Sequence, residues 1–320
     1  MKRVLIDTDP GVDDALALIY AFKSPEIKVE AITTVNGNVN LETASHNLLI
    51  ILNLLNLTEF PVIAKGEAQP LVKPLIDAKD VHGEDGLGNT RELMTSKGEL
   101  KYDIAECQFS ELSADDVILE MIDTYPYELI IVALGPLTNL SKAIQKDISC
   151  FRKVQSVYLM GGVFTEYGNI TTNAEFNVFV DPHAAHEVFN AGIPIHIAPL
   201  DVTHQVELTG DRLKEELIGR EDIISQFISD STHAIMTFYQ ENVGFYGFHI
   251  HDALPIAMLN HPELFMSVDA HVQVETEGEL TSGMTVADLR KPTVTDSNAI
   301  VYVEVDADSF LETYFKTILS

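Results

Sequence analysis

The sequence predicts an α/β fold with an open, mostly parallel, doubly wound sheet and helices on both faces. Two observations favour this fold. Short apolar runs alternate with segments of helical periodicity, so that the chain opens in the order β-α-β-α-β. Turns that contain Gly or Pro separate these segments. Because no linker or repeat interrupts the alternation, we expect residues 1–320 to form a single domain.

The first half of the chain supplies the centre of the predicted sheet. An apolar run from Val4 ends in a tight turn at Pro10-Gly11, and a helix begins near Val12. Residues 65–110 read as irregular. The remaining elements of this half are expected to be strands over 27–35, 61–64 and 128–134 and helices over 40–56 and 113–124.

The second half continues the alternation and adds a hairpin. Asp181-Pro182 marks the start of a helix, which Gly192 is expected to end. Alternating residues over 269–286, with Gly278 and Gly283, predict a late β-hairpin. The other elements are expected to be strands over 154–160, 194–199 and 299–305 and helices over 222–241 and 309–319. Together the elements predict a Rossmann-like sheet.

Composition limits the kind of partner. The formal net charge is −29, so nucleic acid and anionic membranes are expected to be repelled, and a small neutral substrate is easier to admit. Most of these acids are best explained as solvated surface. No apolar run is long enough to span a bilayer, and residues 1–20 lack a basic leader. With only Cys107 and Cys150, we expect no disulfide framework and a cytoplasmic location.

Four carboxylates surround the first turn. Asp7 and Asp9 share one face of the strand, and Asp13 and Asp14 fall in the first turn of the following helix. Helix-terminus stabilisation is the commoner explanation for the second pair, but it does not explain all four acids. Because like charges repel and buried unpaired carboxylates are costly, a divalent cation is expected here. Oxygen ligands favour calcium or magnesium over zinc.

Further polar clusters follow other strands, where ligands bind in open α/β sheets. They are Asn36 and Asn38, Leu134-Gly135, Gly168-Asn169, Glu175 with Asn177, and His251-Asp252. If extended, Glu175 and Asn177 would share a face and could hold vicinal hydroxyls, although a solvated loop explains this pair better locally. His251 suits proton transfer near neutral pH. A helix N-cap by Asp252 with an incidental histidine explains that pair about equally well.

These clusters together predict metal-assisted hydrolysis of a neutral, polyhydroxylated substrate. They also resemble a known family. Asp7-Thr8-Asp9-Pro10-Gly11-Val12-Asp13-Asp14 resembles the N-terminal signature of the inosine-uridine-preferring nucleoside hydrolases. Further blocks of the family follow in order to about residue 290: residues 31–38, 81–86, 133–139, 160–162, 174–177, 180–182, 251–252 and 283–288.

The resemblance implies a role for each matching residue. Asp9, Asp14, Asp252 and the Leu134 carbonyl would bind Ca²⁺, and Asp9 would also act as general base toward the metal-bound water. His251 would be the general acid that protonates the leaving base. Asp7 would support the metal ligands without contacting the metal. Substrate would be bound by Asp13, Asn38, His82, Met160, Asn169, Glu175 and Asn177.

The branch of the family is also suggested by residue content. The purine-specific branch is expected to stack the base between tryptophans, and this chain has no Trp. We therefore expect an inosine/uridine-preferring or pyrimidine-preferring enzyme, with Tyr239 and Tyr246 over the base. The role of His249 is open. The resemblance also suggests a homodimer or homotetramer.

Two alternatives remain at this stage. A haloacid-dehalogenase-like phosphohydrolase also places two aspartates two residues apart after the first strand, but it needs neither Asp13 nor Asp14. A non-catalytic calcium-dependent nucleoside or ribose binder would retain the acidic site, but it would not need a general acid such as His251.

Overall fold

A computed structural model describes residues 1–290 and 295–320. The strands are β1 (Lys2–Thr8), β2 (Ile27–Thr34), β3 (Val62–Lys65), β4 (Leu129–Ala133), β5 (Ser156–Met160), β6 (Ile195–Ala198), β7 (Glu207–Thr209), β8 (Gly247–His249), β9 (Phe265–Ala270), β10 (Val272–Val274), β11 (Thr285–Ala287) and β12 (Ala299–Val305). These bounds confirm the alternation that was predicted from the apolar runs.

The α-helices are α1 (Val12–Lys23), α2 (Leu41–Leu54), α3 (Lys79–His82), α4 (Ala114–Thr124), α5 (Thr138–Phe151), α6 (Phe176–Val180), α7 (Pro182–Phe189), α8 (Leu200–Thr203), α9 (Gly210–Leu217), α10 (Ile223–Asn242), α11 (Ala253–Asn260) and α12 (Ala307–Ile318). One short 3-10 helix spans Pro262–Leu264. None of the helices in the described part of the chain has the length and apolarity needed to cross a membrane.

Eight strands form the central sheet in the order β3-β2-β1-β4-β5-β6-β12-β9. Every neighbouring pair is parallel except β9 with β12, which is antiparallel at one edge. The chain leaves β1 toward β3 and then returns to add β4 on the other side of β1. The strand order therefore reverses between β1 and β4, where doubly wound sheets bind their ligands.

Alternate residues of the strands face two separate cores, which places helices on both faces. Val4 and Ile6 of β1 pack in a core with α1, α2, α10, α11 and α12. Leu5 of the same strand points the other way, into a core with α4, α5 and α7. This alternation follows from the two-residue period of a β-strand. The predicted open, mostly parallel, doubly wound sheet is confirmed.

The late hairpin is confirmed, with a shorter extent than predicted. β10 pairs antiparallel with β11, and Gly278 and Gly283 lie between them. Phe265–Ala270 instead forms β9, the antiparallel edge strand of the main sheet. The prediction that Gly192 ends its helix was also wrong, because α7 ends at Phe189 and Asn190 occupies the C-cap. Within the segment read as irregular, Lys79–His82 forms the short helix α3.

Candidate active site

The carboxyl ends of β1 and β4 meet at the reversal point of the sheet. Asp7 pairs in register with Ala133, and the Leu134 amide donates to the Asp7 carbonyl at 2.8 Å. The Asp7 carboxylate accepts from Thr33 and from the Asn139 amide, while its Oδ2 is buried without a partner in the described residues. Burial raises the pKa of Asp7 to about 7. Asp7 therefore lies beneath the site, in a buried polar network.

Asp9 lies between two glycines. Its Oδ2 accepts from the Asn38 amide at 2.6 Å, and its Oδ1 is buried with no partner among the residues described. A Cβ atom on Gly37 would lie 1.9 Å from Oδ2, and one on Gly135 would lie 2.4 Å from Oδ1. Both positions must lack a side chain because the carboxylate occupies that space. The two glycines thus leave room for the buried carboxylate of Asp9.

The first turn of α1 brings Asp13 and Asp14 to the same place. Asp14 accepts from the Thr8 hydroxyl at 2.5 Å, from the Gly11 amide at 3.0 Å and from the Asn38 side chain at 2.9 Å. Asp14 does satisfy the helix terminus, as the commoner explanation proposed. Asp13 instead accepts from the backbone amides of His251 and Asp252, at 2.8 and 3.1 Å. Helix stabilisation alone therefore does not explain the pair.

Asp252 completes the acidic group. Burial raises its pKa well above the usual value, and the charges of Asp14, Asp13, Asp9 and Glu175 raise it further. The alternative that Asp252 merely caps a helix is wrong, because its side chain makes no capping hydrogen bond to α11. The pKa of Asp9 is also raised well above the usual value, mainly by burial and to a smaller extent by the charge of Asp14.

This set of side chains fits a hard divalent cation. Carboxylates converge in a buried place, and Oδ1 of Asp9 and of Asp13 are unpartnered in the described part of the chain. No Lys or Arg is among the described residues that line the adjoining cavity. Within residues 1–290 and 295–320, however, no three His, Cys, Asp or Glu side chains already stand in a metal-ligating arrangement. The fit to a cation therefore rests on the chemistry of these carboxylates and on their unpartnered oxygens.

Glu175 and Asn177 lie at the start of α6 rather than on an extended segment. The Glu175 carboxylate accepts from the amides of Asn177, Val178 and Gly162, at 2.7, 3.1 and 3.0 Å. Burial raises its pKa to about 7. The condition for a shared strand face is not met, because Glu175 is the extended N-cap residue and Asn177 already belongs to α6. The solvated-loop alternative was wrong, because both side chains are buried.

The Asn177 side chain connects the ends of two strands. Its amide donates to the Leu134 carbonyl at 2.6 Å and lies 3.3 Å from the Met160 carbonyl. Asn169 accepts from the Phe176 amide at 2.9 Å and also lines the cavity. A cavity of about 630 Å³ thus collects the polar residues that follow β1, β2, β4 and β5.

Histidines, here called the histidine wall, also line this cavity. His82, His249 and His251 line it, as does His204, which the sequence analysis did not identify. The His204 ring lies 4.7 Å from His249 and 5.8 Å from His251, between centroids. His204 follows β6 by a few residues, so the strand-end rule that found the other clusters would also have found it.

Burial lowers the pKa of these histidines and so favours their neutral form. It lowers the pKa of His82 and of His249 to about 4. It also lowers the pKa of His251 well below the usual value, and the neighbouring histidines lower it further. His82 accepts from the Val12 amide at 3.1 Å through Nδ1, which leaves Nε2 to carry its proton.

The structure separates the two tyrosines that were predicted to cover the base. Tyr239 lines the cavity, and its hydroxyl is 3.5 Å from Nε2 of His251. Tyr246 is 46% exposed and lines a different groove, where its hydroxyl lies 3.3 Å from His233. Tyr246 is therefore not brought to this site in the structure. Asp77, Asp80 and Phe238 line the cavity and were not predicted.

The glycine cradle around Asp9 gives a direct test of the geometry. Gly37→Ala is expected to lower kcat at least tenfold, because the new Cβ displaces the Asp9 carboxylate. Gly161→Ala is the matched control. Its new Cβ would lie 3.4 Å from the nearest atoms, Oε2 of Glu175 and a methyl group of Val178, which is an ordinary van der Waals distance. Steady-state kinetics with both variants checks this, and equal activities would contradict the assigned position of Asp9.

The fold and the site together define an α/β protein with a buried acidic cavity at the reversal point of its sheet. A family model described as inosine-uridine preferring nucleoside hydrolase matches residues 4–312. The pyrimidine-specific ribonucleoside hydrolase RihA of Escherichia coli is 38% identical over 311 residues, which cover 97% of this chain and 96% of that one. The chain belongs to the inosine-uridine preferring nucleoside hydrolase family, and it is a ribonucleoside hydrolase.

Solved structures agree with this membership. The plant nucleoside hydrolase PpNRh1 superposes with a TM-score of 0.89 at 31% identity, over 99% of this chain and 98% of that one. The purine-preferring ribonucleoside hydrolase from Gardnerella vaginalis does so with a TM-score of 0.88 at 30% identity and the same coverage. These whole-chain similarities do not support the haloacid-dehalogenase-like alternative.

Proposed function

We propose that this enzyme is a calcium-dependent hydrolase of the N-glycosidic bond of ribonucleosides, with a preference for inosine, uridine or other pyrimidine nucleosides. Asp9 is the general base and His251 the general acid. The observation that carries the proposal is the unpartnered, buried Oδ1 of Asp9, held between Gly37 and Gly135 next to the cavity that His251 lines. Such a group is costly unless a ligand uses it.

Asp9, Asp14, Asp252 and the Leu134 carbonyl are the residues that would hold the cation. All four provide oxygen, which suits Ca²⁺ better than a softer metal. When bound, the cation would lower the pKa of a water molecule and neutralise the mutual repulsion of the carboxylates. The choice of calcium over magnesium comes from the family resemblance, and the metal assay below tests it.

The ribose is assigned to the acidic side of the cavity. Asp13, Asn38, Glu175 and Asn177 offer acceptors and donors for its hydroxyl groups, and Asn169 and Met160 line the same side. Cleavage passes through a state with oxocarbenium character, by analogy with glycoside hydrolysis. Carboxylates near the ring stabilise the positive charge that develops only there, and such stabilisation accelerates the step.

The leaving base is assigned to the histidine wall. The bond between the anomeric carbon and the base nitrogen breaks, and the base keeps the electron pair and takes a proton from His251. Water gives its oxygen to the anomeric carbon and one proton to Asp9, so that ribose and free base are the products. His251 must carry a proton to act in this way. Burial and the neighbouring histidines lower its pKa, so the protonated ring is the less populated form and the stronger acid.

Pyrimidine nucleosides, uridine and cytidine, are the favoured substrates within this proposal. The chain has no Trp to stack a purine, and the Escherichia coli relative carries a pyrimidine-specific name. His82, Tyr239 and His249 line the wall that would meet the base. We further propose a homodimer or homotetramer in the cytoplasm. The proposed location follows from the cysteine content, since two cysteines without a Cys-x-x-Cys motif are typical of a reducing compartment.

The assay measures reducing-sugar release from inosine, uridine, cytidine and adenosine, with EDTA and then with added Ca²⁺ or Mg²⁺. Release is expected to stop with EDTA and to return with Ca²⁺, with adenosine the poorest substrate. Calcium binding is measured separately by titration calorimetry. Binding of Ca²⁺ without any ribose release would instead favour a non-catalytic binder. Release that EDTA leaves unchanged would refute the metal dependence.

A further inference from the structure

The His251 ring is held in a specific orientation at the cavity wall. Its backbone amide donates to Asp13, which fixes the main chain but not the ring. On the ring itself, Nε2 lies at the long distance of 3.5 Å from the hydroxyl of Tyr239, a residue that also lines the cavity. Nδ1 lies 2.8 Å from the hydroxyl of Thr203. In the part of the chain that the structure describes, this is the one short hydrogen bond to the ring.

Thr203 is itself firmly placed. It is the last residue of α8, directly after β6, and it is completely buried. Its amide donates to the Pro199 carbonyl at 3.1 Å, and the Leu200 amide at the start of the same helix donates to Gly162 at 2.9 Å. Threonine hydroxyls in helices commonly donate to the carbonyl four residues back. Here the hydroxyl is directed at His251 instead.

A hydroxyl is well suited to a ring that gains and loses a proton. It can both donate and accept, so it can bond Nδ1 whether or not that nitrogen carries hydrogen. A carboxylate or an ammonium group would fit only one of the two states. The 2.8 Å bond to Thr203 can therefore hold the ring in one orientation whichever of the two groups donates the hydrogen.

We propose that Thr203 is a positioning residue, whose hydroxyl orients His251 so that Nε2 can deliver its proton to the leaving base. This inference rests on the proposed role of His251 as general acid. Thr203 does not touch the substrate, so its removal should affect proton delivery and leave ribose binding intact. Residues that orient a catalytic ring in this way commonly contribute about 10- to 100-fold.

The test uses Thr203→Val, which keeps the shape and removes the hydroxyl, and Thr203→Ser, which restores the hydroxyl. Thr232→Val is the matched control, because Thr232 is equally buried and its hydroxyl donates to Ile228, away from the cavity. Each variant is assayed with uridine, whose base needs a proton, and with p-nitrophenyl riboside, whose leaving group is stable as an anion. Thermal unfolding verifies that each variant is folded.

Thr203→Val is expected to lower kcat for uridine about 10- to 100-fold, with KM nearly unchanged and p-nitrophenyl riboside cleaved at close to the normal rate. Thr203→Ser should restore most of the uridine activity, and Thr232→Val should resemble the wild type. Equal losses on both substrates, or no loss on uridine, would overturn the positioning role while leaving the hydrolase proposal intact. If the wild type cleaves neither substrate, the proposed function fails and this role fails with it.

Discussion

Asp9→Asn is expected to lower kcat for every ribonucleoside roughly 10³- to 10⁴-fold, because it removes both the general base and a carboxylate ligand of the cation. The substitution keeps the size of the side chain, and the asparagine oxygen can still accept from the Asn38 amide. The fold should therefore persist. Activity toward p-nitrophenyl riboside should fall equally, since water must be activated whatever the leaving group.

The stability of the same variant provides a second readout. Removing one of several buried like charges relieves repulsion, so Asp9→Asn should unfold in EDTA at a temperature equal to or above that of the wild type. Added Ca²⁺ should raise the Tm of the wild type more than that of the variant, because the ligand stabilises only the form that binds it. Thermal unfolding with and without Ca²⁺ measures this difference.

Asp269→Asn is the control for these measurements. Asp269 lies exposed on β9, far along the sheet from β1, and the same substitution there should change neither kcat nor the response to Ca²⁺. If Asp9→Asn retained more than about a tenth of the activity in the presence of Ca²⁺, Asp9 would not be the general base.

His251→Ala is expected to divide the substrates by leaving group. Turnover of inosine and uridine should fall about 10²- to 10⁴-fold, because the departing base is no longer protonated. Cleavage of p-nitrophenyl riboside should stay within a few-fold of normal, since p-nitrophenolate leaves without a proton. The ribose side of the cavity does not include this ring, so KM should change little. Steady-state kinetics with the two substrate types measures the split.

His186→Ala serves as the control, because His186 is exposed on α7 and lies outside the cavity. Unchanged turnover of inosine and uridine by His251→Ala would remove this residue from the mechanism. Asp9→Asn and His251→Ala together distinguish the activation of water from the protonation of the leaving base. Loss of the general base should affect all substrates alike, whereas loss of the general acid should affect only those with poor leaving groups.

Local patterns carried much of the architecture. The apolar run of β1 and the start of α1 at Val12 lie within a dozen residues, and the structure confirms both. The same is true of the alternation that builds the parallel sheet. Such features depend on backbone preferences and on periodic burial, which act between neighbours in sequence. The tight turn predicted at Pro10-Gly11 was wrong, because Gly11 has an extended backbone and is the N-cap of α1. The family resemblance added the expected roles but not their geometry.

Short helices, and the side chains that line the cavity, were harder to predict from the sequence. α6 is only five residues long, and the amides at its start bind the Glu175 side chain in a buried position, where a solvated loop had been the better local explanation. Tyr239 and Tyr246 are seven residues apart and both aromatic, but only Tyr239 faces the cavity. Composition cannot make that distinction, because it depends on how α10 and β8 pack against the sheet.

The sequence by itself determined the sheet, the start of the helix after its first strand and the acidic residues between them. Only the tertiary structure decided that Asp13 holds the backbone of His251 and Asp252, 238 and 239 residues away, and that Thr203 bonds the His251 ring. Contacts of this range arise when distant strand ends converge at one edge of the sheet. A local sequence pattern does not predict such contacts, because the two residues that meet are far apart in the chain and come together only when the sheet has formed.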